Sequence, residues 1–266
     1  MRRRMARGDY RILRWYADMD GPWSAVAWQR YRDQGCDGLV LVPGPEWSPP
    51  DLAFIRDLPD LRYFSLERRF DPDTEAFLVD TLEELSLVTG SRRPVPEIVQ
   101  PNMVRLCLTD RPGIDLATRW PGLEEFRLGG WRGSDLRMLE GAGRLRLLHV
   151  EGRNHRSSLD GVENCDLEVV EVLSTSFADL RPLSGMSSLR ELKLMGSVKN
   201  GHGVLDLSAL ASSSLEKVWI SNAAEVAGLA HIAESSTLRD VRLIKCGVME
   251  SEVRQLFPRR VRVDVR

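Results

Sequence analysis

Apolar residues recur along this chain with two spacings, three residues and then two. Residues 177–194 show both, because apolar side chains stand at every third position until Leu192 and Leu194, which are two apart. A spacing of three is typical of a tight 3₁₀-like or extended connector, and a spacing of two is typical of a strand with one buried face. The pattern therefore predicts short strands that alternate with tight connectors.

The motif L-x-x-L-x-L, in which other apolar residues can replace leucine, occurs nine times. Its copies begin at Leu61, Leu82, Met103, Leu123, Leu145, Leu167, Leu189, Leu215 and Leu238. Successive copies start 20 to 26 residues apart. A motif that returns in near-constant phase predicts a repeat protein in which each unit stacks on its neighbours.

These residues resemble the leucine-rich repeat family, and their spacing of about 22 residues is similar to its short, bacterial-type units. The resemblance implies an α/β fold. It would be a curved leucine-rich repeat solenoid with a parallel β-sheet on the concave face and short helical or 3₁₀ connectors on the convex face.

The family usually places Asn or Cys three residues after the last apolar motif position, where the side chain bonds neighbouring loops. Only Cys246 matches here, although Thr175 and Ser197 could substitute. The other six positions hold Arg69, Gly90, Arg111, Trp131, Arg153 and Ala223. The sequence therefore leaves the geometry of the turns open.

Segments of different character flank the repeats. We predict a basic tail and a strand–helix–strand cap in residues 1–50, repeats in residues 51–248, and a C-terminal cap in residues 249–266, all in one structural domain. The first cap would contain strands at 10–16 and 38–42. Its helix would run over residues 22–34, with Asp20 as the N-cap, Gly35 as the stop, and Trp23, Val26, Ala27 and Tyr31 on the apolar side.

Composition excludes several classes of function. A formal charge of −2 gives no general attraction to nucleic acid or anionic membrane, and the four cysteines are too far apart in sequence for a disulfide framework or thiolate metal site. The start of the chain lacks the apolar region of a signal peptide, and no segment is apolar enough to span a membrane. We expect a cytoplasmic, bacterial-type protein without a cofactor or metal.

Strand geometry predicts which side chains face outward on the concave face, because alternate residues of a strand point to opposite sides. The central outward position of the nine units holds Ser65, Ser86, Cys107, Arg127, His149, Glu171, Lys193, Trp219 and Arg242. We predict a partner-binding surface formed by Arg127, His149, Glu171, Lys193, Lys217, Trp219 and Arg242. A solvent-exposed Trp219 between Lys193 and Arg242 would be its centre, since Trp and Arg are enriched at interface hot spots. The alternative is cross-strand charge pairing that only keeps the sheet soluble.

Enzymatic readings are weakly supported by the sequence. Cys107, His149 and Glu171 resemble a thiol–base–acid set, but two strand spacings would separate Cys107 from His149, about 9–10 Å. The G-x-G within residues 200–203 lacks a flanking strand and helix and is predicted as a turn. Arg92 and Arg93 lack the interleaved aromatics of a nucleic-acid site, so we do not expect nucleic acid as a partner.

The resulting prediction is a non-enzymatic protein–protein interaction module that binds another protein through its concave face. One alternative is an inhibitor or immunity-type protein that masks a toxin or an enzyme. Another alternative is a structural scaffold with several weak partners.

Overall fold

The computed structural model describes residues 8–45, 47, 50–177 and 179–266. Most of the predicted basic tail, residues 1–7, lies outside the described residues. The chain divides into two compact units, Met1–Leu123 and Glu124–Arg266. The boundaries predicted for the two caps and for the repeats remain predictions.

The first unit contains five parallel strands that pair in chain order. They are β1 (Ile12–Tyr16), β2 (Gly38–Val42), β3 (Tyr63–Glu67), β4 (Glu84–Val88) and β5 (Arg105–Thr109). Helices α1 (Ala17–Asp20) and α2 (Ala25–Asp33) connect β1 to β2, and α3 (Ile114–Ala117) follows β5. The connectors before β3 and β4 contain 3₁₀ turns at Ala53–Asp57 and Thr74–Leu78, as the spacing of three predicts.

The helix predicted at residues 22–34 begins later than predicted. Its N-cap is Ser24, whereas Asp20 ends α1 and accepts a hydrogen bond from the Tyr16 N–H at 3.0 Å. The prediction that Val26 faces inward is wrong, because Val26 is 74% exposed while Ala27 and Tyr31 are fully buried. The shorter helix presents this i, i+4 pair to the core, and Val26 lies outside that stripe.

The second unit contains seven parallel strands in one sheet. In their order across the sheet they are β6 (Glu125–Trp131), β7 (Leu147–Arg156), β8 (Val169–Ser176), β9 (Glu191–Met195), β11 (Lys217–Ser221), β13 (Asp240–Ile244) and β14 (Arg262–Val265). The connectors include 3₁₀ turns at Arg137–Leu139, Arg181–Leu183 and Leu207–Leu210 and helix α4 (Leu229–Ala233). Helix α5 (Glu250–Leu256) and strand β14 lie within residues 249–266, the predicted C-terminal cap.

The apolar motif residues form the core of both units. All 27 positions of the nine motifs are at most 2% exposed. Burying one large aliphatic or aromatic side chain contributes about 1.5–3 kcal/mol, so these positions supply much of the stability. The prediction of leucine-rich repeats is confirmed.

The longest repeat contains a strand that the sequence did not predict. Strand β10 (His202–Asp206) lies between β9 and β11 in the chain, and it pairs in parallel with β12 (Ala223–Ala227) of the following repeat. The prediction of a turn at residues 200–203 is wrong for His202 and Gly203, which belong to β10, because the turn covers residues 198–200. A local pattern could not show β10, because its hydrogen-bond partners lie some 20 residues later in the chain.

A buried ion pair supports the loops of the first unit in place of the family's asparagine. The Arg111 guanidinium is fully buried and donates to both carboxylate oxygens of Asp73, at 2.9 Å each. The Thr89 hydroxyl donates to the same carboxylate at 2.6 Å. Arg111 stands at one of the positions where Asn or Cys is usual, and it joins the loop after β5 to two earlier loops.

Other side chains join the loops of the second unit. Asn222 has a φ of +58° and donates from Nδ2 to the Gly196 carbonyl at 2.9 Å, one residue before the position where the family pattern was sought. The Cys246 thiol donates to the Ile220 carbonyl at 3.7 Å, the role that the family resemblance implies. The buried His202 ring accepts a hydrogen bond at Nδ1 from the Phe177 N–H at 3.0 Å.

Removing Asp73 should destabilise the protein strongly. Asp73→Ala leaves the Arg111 guanidinium buried without a counter-charge, and we expect a loss of about 3–5 kcal/mol in the free energy of unfolding. Urea denaturation monitored by circular dichroism measures this loss. Asp71→Ala, which removes an exposed partner of Arg93, should change little. Asp73→Leu combined with Arg111→Met should recover most of the stability, and an Asp73→Ala protein with the wild-type midpoint would contradict the interpretation.

His202 should make stability fall in mild acid. Burial lowers the pKa of His202 below its ordinary value of 6.5, so the folded protein keeps the ring neutral where the unfolded chain binds a proton. The free energy of unfolding therefore decreases as the pH falls below about 6.5, until the folded ring is also protonated. We expect His202→Gln to show a smaller stability difference between pH 7.5 and pH 5.5 in urea denaturation. His231→Gln, at an exposed histidine, is the control, and an unchanged pH dependence in His202→Gln would contradict this assignment.

Candidate interaction surface

The seven predicted binding residues all lie on one face of the sheet in the second unit. Strand register aligns six of them in a row that we call the central ladder: Arg127, His149, Glu171, Lys193, Trp219 and Arg242. The row continues to Asp264 on β14. A second row, which we call the flanking ladder, lies two residues earlier on each strand: Glu125, Leu147, Val169, Glu191, Lys217, Asp240 and Arg262. We call the surface formed by both rows the ladder face. In the first unit, Ser65, Ser86 and Cys107 align in the same way.

The central ladder is less exposed than predicted. Trp219 is half-buried and not solvent-exposed, and the side chains of His149 and Lys193 are 19% and 22% exposed. Glu125 and Leu147 of the flanking ladder are buried. Adjacent strands are only about 4.8 Å apart, so long side chains in register lie against one another and cover much of each other's surface.

Trp219 is held between two cations. The Lys193 Nζ lies 4.7 Å from the centre of the indole, and the Arg242 Cζ lies 5.2 Å from it. Asp240 accepts hydrogen bonds from Arg242 Nε and Nη2 at 3.2 and 2.9 Å and so fixes the guanidinium beside the ring. The indole N–H is enclosed and meets no acceptor among the described residues. Trp219 is therefore a ring in a fixed orientation with both faces occupied by positive charge.

Glu171 is the anionic centre of the central ladder. Its Oε2 lies 2.9 Å from His149 Nδ1, and its Oε1 lies 4.0 Å from Lys193 Nζ. The hydrogen bond with His149 lowers the pKa of Glu171, burial opposes this effect, and the charges of Lys193, His149 and Arg127 reinforce it. Glu171 therefore stays ionised at neutral pH and contacts the side chains of His149 and Lys193 on either side.

Cross-strand charge pairing, the alternative considered for these residues, is present on much of the ladder face. Lys217 pairs with Glu191 and His149 with Glu171 across neighbouring strands, whereas Arg242 pairs with Asp240 of its own strand. At the strand starts a further row alternates in sign, with Arg146–Glu168 at 2.7 Å and Arg190–Glu216 at 3.4 Å. Arg127 forms no ion pair with any described residue. The ion pairs of this surface thus neutralise one another. Two residues of the surface, Arg127 and Trp219, do not take part in these ion pairs.

The cysteines and histidines of the described residues occupy different surroundings. Cys107, the thiol in the hypothesis of a thiol–base–acid set, lies on β5 of the first unit. The base and the acid of that hypothesis, His149 and Glu171, are hydrogen-bonded to each other and lie in the second unit. Burial raises the pKa of Cys165 to about 11, which makes this thiol a poor nucleophile. Among the described residues, no three His, Cys, Asp or Glu side chains are grouped as metal ligands. No helix in the same part of the chain has the length and apolarity needed to cross a membrane.

Sequence reasoning missed some functional positions and could have found one of them. Asn222 lies one residue before Ala223, which is the position where the family pattern places Asn or Cys. A tolerance of one residue in that pattern would include it. The pairing of Arg111 with Asp73 had no local signal, because 38 residues separate the two side chains. Asp264 extends the central ladder only through the pairing of β14 with β13, which no local pattern shows.

Comparisons with known proteins agree with this fold. No family model matches the chain, and no curated protein matches its sequence. Among solved structures, an internalin C2 from Listeria monocytogenes matches with 16% identity and a TM-score of 0.50, over 70% of this chain and 82% of its own. An internalin InlF from the same organism matches with 15% identity and a TM-score of 0.51, over 85% of this chain and 60% of its own. Both are leucine-rich repeat proteins, and at these identities the likeness establishes the fold alone.

The contact between Lys193 and Trp219 should be measurable as a coupling free energy. A double-mutant cycle with Lys193→Met, Trp219→Leu and the combined variant should give about 0.5–1 kcal/mol, the range for a partly exposed cation–π contact. Urea denaturation of the four proteins provides the free energies of unfolding. Strictly additive losses would show that the ring and the ammonium group do not stabilise each other.

Proposed function

We propose that this chain is a non-enzymatic module that binds another protein through the ladder face of its second unit, with Trp219 as the principal anchor. The observation that carries the proposal is the clamping of Trp219 between Lys193 and Arg242 on a rigid strand. A ring fixed in this way loses little conformational entropy when a partner covers it. Tryptophan and arginine are also the residues that most often dominate the free energy of binding at protein interfaces.

Arg127 is the second anchor of the proposed surface. It lies on the central ladder beside His149 and forms no ion pair with a described residue, so binding an acidic group of the partner would break no existing pair. Truncating a buried arginine at an interface often costs more than 1 kcal/mol of binding free energy, whereas paired charges at the rim contribute little. We therefore assign His149, Glu171 and Lys217 to orientation and Arg127 and Trp219 to affinity.

The leucine-rich repeat fold supports the proposal in a general way. Stacked units present an extended sheet surface that is formed before a partner arrives, and repeat proteins use such surfaces for binding. The buried Cys165 thiol, whose pKa is raised to about 11, favours binding over catalysis.

Altering the ladder face should abolish capture of the partner. We expect wild-type protein to retain one partner in stoichiometric amount from a lysate of the source organism. The variant Arg127→Glu/Lys193→Glu/Trp219→Ala should lose it, because it reverses two cations and removes the clamped ring. Affinity purification with mass spectrometry identifies the partner. Calorimetry with the purified partner should then show about a thousandfold weaker binding, because two hot-spot losses of about 2 kcal/mol each add up to about 4 kcal/mol.

A charge-matched variant controls for general electrostatic effects. Arg137→Glu/Arg144→Glu reverses two exposed cations on connectors of the same unit and should retain the partner. Equal binding by the ladder-face variant and this control would overturn the proposal and move the site to another surface. A toxin or an enzyme as the captured partner would identify the inhibitor role.

A further inference from the structure

Five arginines follow strands β3, β4 and β5 in the first unit: Arg68, Arg69, Arg92, Arg93 and Arg111. Aspartates hold three of them. Arg68 pairs with Asp18 at 2.9 Å, Arg93 with Asp71 at 2.8 Å and Arg111 with Asp73 at 2.9 Å. Arg69 and Arg92 are exposed and form no ion pair with any described residue. Two guanidinium groups of this loop cluster are therefore left without a counter-charge.

Arg69 and Arg92 line the same depression, which has a volume of about 550 Å³. Its lining includes Phe70 and Ser91, both buried, and the carboxylate of Asp71. The depression thus combines two cationic side chains with polar groups and one aromatic ring. The depression belongs to the first unit, whereas the ladder face belongs entirely to the second unit.

The one carboxylate in this lining is already satisfied. Asp71 accepts hydrogen bonds from the Ser91 hydroxyl at 3.0 Å and from Arg93 Nε at 2.8 Å. These two bonds hold the pKa of Asp71 below its ordinary value, with smaller help from the charges of Arg93 and Arg111. Asp71 is therefore matched by Arg93, and the charges of Arg69 and Arg92 remain in excess at the depression.

We propose that Arg69 and Arg92 form a binding site for a phosphate-type oxyanion. Each guanidinium offers a planar fork of N–H donors that matches two oxygens of a tetrahedral anion. A phosphate monoester carries about two negative charges at neutral pH, equal to the excess positive charge of the two arginines. The same chemistry would recognise free phosphate or a phosphorylated side chain of a protein.

Calorimetry on the full chain tests this site with two probes, inorganic phosphate and a short phosphoserine peptide, in chloride buffer of matched ionic strength. Wild-type protein should bind both. Arg69→Ala/Arg92→Ala should weaken both at least about tenfold, because each guanidinium donates charge-assisted hydrogen bonds. The control Arg14→Ala/Arg119→Ala removes two exposed arginines of the same unit that also form no ion pair with described residues, and it should bind within about twofold of wild type.

The outcomes separate a specific site from general attraction. Tighter binding of the peptide than of inorganic phosphate would support the site and identify a phosphorylated protein as its ligand. Tighter binding of inorganic phosphate would support the site and identify free phosphate as its ligand. Equal weakening in the two double variants would overturn the proposal. A single-stranded oligonucleotide that binds more tightly than both probes and is displaced by neither would also overturn it, in favour of a nucleic-acid surface. Circular dichroism spectra confirm that each variant is folded.

Discussion

The stacking of each repeat's apolar motif on the next is the interaction on which the rest of this structure depends. A single strand and connector cannot bury their own apolar residues, and the motif positions reach 0–2% exposure only because neighbouring repeats cover them. Stacking at the strand spacing of about 4.8 Å also fixes the register of the parallel strands. Register then decides which side chains on the opposite face become neighbours.

The ladder face shows what this register imposes on charged residues. Side chains at equivalent positions must meet their neighbours at one strand spacing, so like charges in adjacent repeats would repel. The protein alternates signs at the strand starts and places Glu171 between His149 and Lys193. Lys193 and Arg242 are like charges on either side of Trp219 in the central ladder. The indole ring lies between them and makes a favourable cation–π contact with each.

The loops solve a second problem, the satisfaction of buried polar backbone groups, with several different side chains. An asparagine ladder would use the same amide in every repeat. Here Asn222 uses an amide, Cys246 a thiol and His202 a ring nitrogen, whereas Arg111 and Asp73 use a buried ion pair. Each device suits its own neighbours, and this variety explains why the consensus position looked empty in the sequence. The same loops in the first unit carry the uncompensated arginines of the proposed oxyanion site.

The sequence by itself determined the repeats, their phase and the facing of each strand residue, because these follow from the two spacings of apolar positions. It also placed all seven candidate residues on one face, and β2 coincides with its predicted limits. The sequence did not determine where α2 starts, since Ser24 and Asp20 are both acceptable caps and packing of Ala27 and Tyr31 selects between them. Only the tertiary structure decided the pairing of β10 with β12, the burial of Arg111 against Asp73 and the half-buried state of Trp219. Each of these depends on atoms of another repeat, 20 or more residues away, which no local pattern contains.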